Sequence, residues 1–262
     1  MIHIGVTLLY LSNQASDKLA LQAVRRLLTT SRSSSILTRM NWPENCAVVI
    51  PCLNEAARIG PLVSEVRKLL PTVIVVDDGS DDETGVIAAQ AGAQVLRHAE
   101  PRGKGAAMNS GWQRALSLGF SWVLTMDGDG QHAPSDVPAF LHRTAKGQAT
   151  LIVGNRLAAP QGMPWLRRQV NRWMSRRLTR LAGCDLLDTQ CGFRLMNLEA
   201  WSKLQIQTSH FEAESELLLA FAAAGQKIDF VPIQVIYQDE ESKINPVRDT
   251  WRWFRWLANR RG

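Results

Sequence analysis

Short apolar segments that alternate with helical patterns constrain the fold of this chain more than any other feature. Residues 47–51, 72–76, 94–97 and 121–126 have the length and apolar character of buried strands, and helical patterns separate them. Strands that alternate with helices are typical of a mostly parallel α/β sheet flanked by helices.

A polar cluster lies beyond each of these predicted strands. The clusters are Asn54-Glu55, Asp77-Asp78, the glycine-rich residues 102–105, and residues 127–131. Ligands of parallel α/β sheets bind at the carboxyl ends of the strands. Asp and Gly also favour turns, which would explain one such cluster but explains four in succession poorly. The pattern therefore predicts an active site along one edge of the sheet.

The rest of the chain predicts further elements and three regions. Strands are expected at residues 150–154 and 228–237, a turn followed by a strand at 189–196, and helices at 135–145, 165–181, 212–224 and 249–262. Residues 1–43 are expected to be a dispensable extension, residues 44–245 the main domain, and residues 246–262 a basic amphipathic helix.

The segment SWVLTMDGDGQH, residues 121–132, carries two carboxylates directly after an apolar run. Side chains two residues apart on extended backbone point to the same side, so Asp127 and Asp129 can bind one cation. The glycine after each aspartate permits a tight turn. Carboxylates and the Gln131 amide oxygen are hard ligands, which suit Mg²⁺ or Mn²⁺ and leave coordination positions for substrate phosphates.

Other phosphate-binding and metal-binding motifs do not match. An EF-hand loop that began at Asp127 would need Gly at its sixth position and Glu at its twelfth, where this chain has His132 and Pro138. Residues 101–111 contain neither a Walker A spacing nor G-x-G-x-x-G, and the chain has no H-E-x-x-H. A cation beside a diphosphate stabilises the charge of a leaving group, which favours group transfer from a nucleoside diphosphate.

The net charge of +6 favours anionic partners. Six arginines lie between residues 167 and 180 and five between 248 and 261. The helices predicted in these regions, residues 165–181 and 249–262, hold five of the nine tryptophans. Basic helices with interfacial aromatic residues suit an anionic membrane surface, although such aromatic residues can also pack onto a sheet.

The four cysteines form no C-x-x-C pair and are expected to be reduced thiols. Because no apolar run reaches the length of a membrane span, we expect a soluble or peripheral protein, and in the second case one at the cytoplasmic membrane face.

The motifs VVIPCLNE, VVDDGS, GKG, DGDGQH and VGNR occur in the order seen in inverting family 2 glycosyltransferases of the GT-A fold. Within that family the chain resembles the polyprenyl-phosphate sugar transferases of the dolichol-phosphate mannose synthase type. The resemblance extends from about residue 46 to residue 243. It implies a nucleotide-sugar donor, a polyprenyl phosphate acceptor and a divalent cation.

The resemblance also implies roles for individual residues. The nucleotide pocket would comprise Pro51, Asn54, Glu55, Asp77, Asp78, Gly103 and Lys104. Asp127, Asp129 and Gln131 would form the metal site. Arg156 and Arg194 would face the phosphates of the donor or the acceptor, with Arg167 a weaker candidate.

Two departures from the family pattern concern the acceptor. Asn171 lies where the mannose synthases have a serine, which weakens the assignment of Arg167. Of the late family motif R-x-x-G-x-S-K, only Ser242 and Lys243 remain. The contacts that this motif would make to the acceptor are therefore in doubt.

The sequence leaves two classes of acceptor open, a lipid phosphate and a hydroxyl group. A lipid phosphate is already ionised at neutral pH and needs arginines more than a general base. A hydroxyl acceptor needs a base, for which Glu214 or Glu212 is available, although acidic residues also favour a helix N-terminus for its dipole. A third hypothesis, a nucleic-acid binder that uses the Arg/Trp segments, leaves the carboxylate clusters unexplained.

Overall fold

The computed structural model describes residues 40–158, 160, 162–206, 208, 212–236 and 246–258, and the side chains of helix 246–258 from residue 252 onward. Residues 1–39 and the pair Ser242-Lys243 lie outside the described residues, so the predictions for the extension and the late motif stay predictions.

Seven strands and their flanking helices make up the described part of the chain. The strands are β1 (Cys46–Cys52), β2 (Val73–Asp77), β3 (Gln94–Arg97), β4 (Trp122–Thr125), β5 (Leu151–Asn155), β6 (Arg194–Asn197) and β7 (Ile228–Pro232). The helices are α1 (Trp42–Asn45), α2 (Ala56–Arg67), α3 (Thr84–Gln90), α4 (Lys104–Ser117), α5 (Val137–Lys146), α6 (Trp165–Ala182), α7 (Leu198–Ser202), α8 (Glu212–Ala223) and α9 (Pro246–Ala258), with a 3-10 turn at Pro134–Asp136.

The strands form one sheet in the order β3-β2-β1-β4-β6-β5-β7. Every neighbouring pair is parallel except the two that involve β6, which runs antiparallel to β4 and β5. The sheet is thus mostly parallel, as predicted. The register pairs Thr125 of β4 with Arg194 of β6, so β6 begins at the edge where β4 ends.

The core lies between the sheet and its helices. Strands β1, β2, β4 and β5 are buried along their whole length. The prediction for β1 was too short, because the strand passes through Pro51 and ends at Cys52. The prediction for β7 was too long, since the strand ends at Pro232 and Val235 forms only an isolated bridge to His132.

Helix α6 buries less of its apolar pattern than its sequence suggests. Met174 and Leu178 are buried, whereas the other four apolar residues of the pattern are exposed: Leu166, Val170, Trp173 and Leu181. No helix in the described residues is both long and apolar enough to span a membrane. The four cysteines are all free thiols.

Candidate active site

The carboxyl ends of the parallel strands β1, β2, β3 and β4 bring the predicted polar clusters to one edge of the sheet. Asn54, after β1, accepts a hydrogen bond at Oδ1 from the Asp81 backbone N–H at 2.9 Å. The backbone N–H of Glu55 donates to Thr84 Oγ1 at 2.8 Å. These bonds join the loop after β1 to the loop after β2, so the two predicted nucleotide clusters form one surface.

Asp77 and Asp78 are buried and bind neighbouring residues. Asp77 accepts from the Ser80 backbone N–H and, at 2.9 Å, from Arg97 Nη1. The Asp78 carboxylate accepts from the Gly103 backbone N–H at 2.7 Å and lies 2.6 Å from a ring nitrogen of His98. Asp78 therefore holds the glycine-rich loop that begins helix α4.

Helix α4 carries Lys104 into the turn after β4. Lys104 Nζ lies 2.6 Å from Asp127 Oδ1 and 2.7 Å from Glu214 Oε1, which belongs to helix α8. Burial alone would raise the pKa of Asp127. The charge and hydrogen bond of Lys104, together with the charges of His132 and Arg156, outweigh burial and keep that pKa well below its usual range. One ammonium thus connects three elements of the site.

The second carboxylate of the turn has a different environment. Burial, and then the charge of Asp127, raise the pKa of Asp129 above its ordinary value. Asp129 Oδ1 accepts a hydrogen bond from the Gln131 backbone N–H at 3.0 Å, so Gln131 lies in the same turn. Gly130 adopts a φ of +73°, as a tight turn requires.

His132 binds the backbone of the turn after β4. Its Nδ1 accepts the Asp127 backbone N–H at 3.2 Å, and its ring stacks on Phe193 with 5.1 Å between the ring centroids. Burial lowers the pKa of His132, and the hydrogen bond that Nδ1 accepts assigns the proton of the neutral ring to Nε2. The sequence analysis gave this residue no role.

The two predicted phosphate-binding arginines are buried and form hydrogen bonds within the protein. Arg156 forms a two-point pair with Asp188, with both N–O distances 2.9 Å. Arg194 donates to the backbone carbonyls of Cys191 at 2.7 Å, Glu214 at 2.7 Å and Thr189 at 3.1 Å. Arg194 therefore fixes the backbone of helix α8 at Glu214, and the assignment of both arginines to phosphates stays a prediction.

Sequence reasoning missed Asp188 and Gly192. Asp188 is fully buried against Arg156. A buried guanidinium needs a carboxylate partner, and this need is the one signal that could have pointed to Asp188. A Cβ on Gly192 would lie 2.6 Å from Asp127 Oδ1, so the backbone can approach the carboxylate this closely because residue 192 is a glycine. No local sequence pattern reveals a contact between residues so far apart in the chain.

The comparisons with known proteins identify the family. The model described as "Glycosyl transferase family 2" matches residues 47–204, more than half of the chain. The chain belongs to glycosyl transferase family 2. The family inferred from the sequence motifs and the predicted glycosyltransferase activity are thereby confirmed.

Two relatives of this family 2 glycosyltransferase have names that mention lipid phosphates. The dolichyl-phosphate hexose transferase of Haloferax volcanii is 30% identical over 78% of this chain and 88% of the relative. The UDP-N-acetylglucosamine–dolichyl-phosphate N-acetylglucosaminyltransferase of Methanococcus voltae is 27% identical over 73% of this chain and 86% of the relative.

Solved structures confirm the GT-A fold. Glucosyl-3-phosphoglycerate synthase of Mycobacterium tuberculosis, solved with Mn²⁺, UDP and glucosyl-3-phosphoglycerate, has a TM-score of 0.62 and 20% identity, and the match covers 82% of this chain and 77% of that one. The same protein has also been solved with Mg²⁺ and UDP.

Proposed function

We propose that this glycosyltransferase transfers a sugar from a nucleotide-sugar to a polyprenyl phosphate at a membrane surface. The main observation in favour of a lipid acceptor is the surface of helix α6, where Trp165 is 65% exposed and Trp173 is 48% exposed beside a row of arginines. Exposed aromatic residues next to arginines suit the interface of an anionic bilayer, where a lipid phosphate resides. The names of the two relatives support the same acceptor class.

The turn after β4 would hold Mg²⁺ or Mn²⁺ through Asp127, Asp129 and Gln131. The residues fit a cation: the ammonium of Lys104 already lies 2.6 Å from Asp127, and two carboxylates whose charges repel each other are close together. The described residues contain no group of three or more His, Cys, Asp or Glu side chains that could hold a metal ion by itself. The proposed ligands are two carboxylates and one amide, and substrate oxygens would complete the coordination. The cation supplies positive charge against the departing diphosphate.

The other groups of the edge would bind and orient the substrates. Pro51, Asn54, Glu55, Asp77, Asp78, Gly103 and Lys104 would bind the nucleotide. Arg156 and Arg194 would supply positive charge behind the phosphates while they hold Asp188 and the start of helix α8. An ionised acceptor phosphate then attacks the anomeric carbon without loss of a proton, so inversion needs no general base.

One assay tests this proposal. Purified protein is incubated with radiolabelled nucleotide-sugars, polyprenyl phosphate and Mg²⁺ or Mn²⁺, and the product is extracted into organic solvent. We expect label in the organic phase for one donor and none without the lipid. No extracted label for any donor would refute the lipid acceptor.

A second candidate function keeps the donor and changes the acceptor to a hydroxyl. The observation that favours it is Glu214, whose carboxylate is buried at the catalytic edge and lies 2.7 Å from Lys104. In such a reaction Glu214 would remove the proton of the attacking hydroxyl. Label transferred to a water-soluble saccharide, with none in the organic phase, would support this candidate.

A further inference from the structure

A basic cavity lies along helix α6. Its volume is about 480 Å³. Helix α6 lines it with Arg172, Arg176 and Arg180, which are spaced four residues apart and therefore follow one side of the helix. The opposite wall is formed by residues 155, 157–158 and 185–187.

The three arginines of this cavity are available to an anion. Within the described residues, none of them forms a hydrogen bond or an ion pair with a carboxylate. Arg172 is half-buried, and Arg176 and Arg180 are exposed. The one carboxylate in the lining is Asp185, which is exposed. The lining thus carries an excess of positive charge with no protein counter-charge bound to it.

Apolar surface from helices α6 and α9 and from the loop at Leu187 adjoins the arginines. Arg180 also lines a second cavity of about 270 Å³ together with Trp173, Phe254 and Leu257. Trp173 and Phe254 are 48% and 46% exposed. Leu187, in the wall of the basic cavity, is 49% exposed. A ligand that combines a phosphate with an apolar chain matches both surfaces, whereas a free phosphate would use only the first.

We propose that the cavity along Arg172, Arg176 and Arg180 binds the phosphate headgroup of an anionic membrane phospholipid. The arginines would donate hydrogen bonds to the phosphate oxygens, and the exposed aromatic residues would contact the acyl-chain region. This inference rests on the membrane-surface part of the proposed function. It assigns a docking site that is separate from the residues proposed to bind the donor and the reacting acceptor.

The test measures binding of a soluble, short-chain lipid to the full-length protein. Dihexanoyl phosphatidylglycerol, kept below its micelle concentration, is titrated by calorimetry, with dihexanoyl phosphatidylcholine and inorganic phosphate as comparison ligands. We expect saturable binding of one phosphatidylglycerol. Each arginine near an anionic surface contributes roughly fivefold in affinity, so R172Q/R176Q/R180Q should bind at least about 10-fold more weakly.

Two further variants separate a built cavity from diffuse charge. R114Q/K146Q/K227Q removes the same number of positive charges from exposed residues outside the cavity and should bind within about twofold of the unmodified protein, because diffuse effects of distant charges are screened. Ala158→Trp fills the cavity without a change in charge and should weaken binding as the arginine variant does. Circular dichroism and thermal unfolding check that each variant is folded.

Three results would overturn the inference. Equal losses in the arginine variant and the charge-matched control would show diffuse attraction. Equal affinity for phosphatidylcholine would remove the role of the net charge, and inorganic phosphate that binds as tightly as phosphatidylglycerol would show a free-phosphate site. The transfer assay in detergent micelles needs no bilayer, so its failure would concern the proposed function and not this cavity.

Discussion

Lys104 Nζ lies 2.6 Å from Asp127 Oδ1, so the first residue of helix α4 places a positive charge on the turn after β4. The same ammonium is 2.7 Å from Glu214, and the side chains of both carboxylates are at most one-quarter exposed. Because carboxylates that share a buried site repel each other, this cation stabilises the arrangement of the whole edge.

Lys104→Met should therefore destabilise the protein. Removal of one partner from a largely buried ion pair costs roughly 3 kcal/mol, since the remaining charges lose their compensation. Urea unfolding at pH 7 measures the loss. Mn²⁺ should then raise the melting temperature of Lys104→Met more than that of the unmodified protein, because the cation replaces the ammonium. A variant of unchanged stability would contradict this account, and Lys104→Arg is the charge-preserving control.

Replacement of either aspartate of the turn should remove transfer without unfolding the protein. Asp127→Asn and Asp129→Asn each take away a negative charge from the proposed cation site, and loss of such stabilisation costs at least about 100-fold in rate. EDTA should have the same effect on the unmodified enzyme, and added Mn²⁺ or Mg²⁺ should reverse it. The radiolabel assay and circular dichroism report activity and folding separately. Full activity in both variants would rule out the metal assignment.

Gly192→Ala should impair catalysis through the position of Asp127. The new Cβ would lie 2.6 Å from Oδ1 of Asp127, so the carboxylate or the loop has to move. A displacement of about 1 Å near reacting groups can lower kcat/KM by roughly 100-fold. Gly147→Ala is the matched control, because the nearest atom to its Cβ would be 3.7 Å away. Equal activity of the two variants would contradict the proposed contact.

Asp188→Asn should destabilise the protein at neutral pH and flatten its pH dependence. Burial alone would raise the pKa of Asp188, but the charge of Arg156 and the hydrogen bonds from Arg156 and Gln190 together outweigh burial and lower that pKa in the folded state. Its contribution is therefore complete above the unfolded value of about 3.9 and is lost as the pH falls through the folded value. We expect a loss of about 3 kcal/mol at pH 7, measured by urea unfolding at several pH values.

The control for Asp188→Asn is a pair with greater exposure. Arg143 Nε lies 2.6 Å from Asp229 Oδ2, and the Arg143 side chain is 49% exposed. Asp229→Asn should cost at most about 1 kcal/mol, because solvent screens such pairs. If both substitutions cost the same, the Arg156–Asp188 pair has no special structural role.

Glu214→Gln distinguishes the two acceptor classes. A general base contributes roughly 100-fold or more, so a hydroxyl acceptor predicts a loss of that size together with a changed pH profile. A phosphate acceptor predicts a smaller loss, from the weakened contact to Lys104, with the pH profile retained. Glu212→Gln is the control, since Glu212 is only half-buried and lies two residues earlier in the same helix. Equal large effects of both substitutions would point to helix α8 as a whole.

Local patterns predicted the edge of the sheet at which the polar clusters lie. Asp78 follows β2 directly and Asp127 lies two residues after the end of β4, and parallel strands bring such positions to one edge whatever the loops do. The partners of Arg156 and Arg194 could not be predicted in this way. Their hydrogen bonds go to Asp188 and to backbone carbonyls, whose positions depend on how β6 enters the sheet.

By itself the sequence determined the alternation of strands and helices, the mostly parallel sheet and the two carboxylates after β4. Those features depend on hydrophobic period and turn chemistry, which act over a few residues. Only the tertiary structure decided that Lys104 joins Asp127 to Glu214, that Gly192 passes the Asp127 carboxylate, and that one side of helix α6 stays exposed. Such contacts join residues far apart in the chain, so packing of the complete fold establishes them.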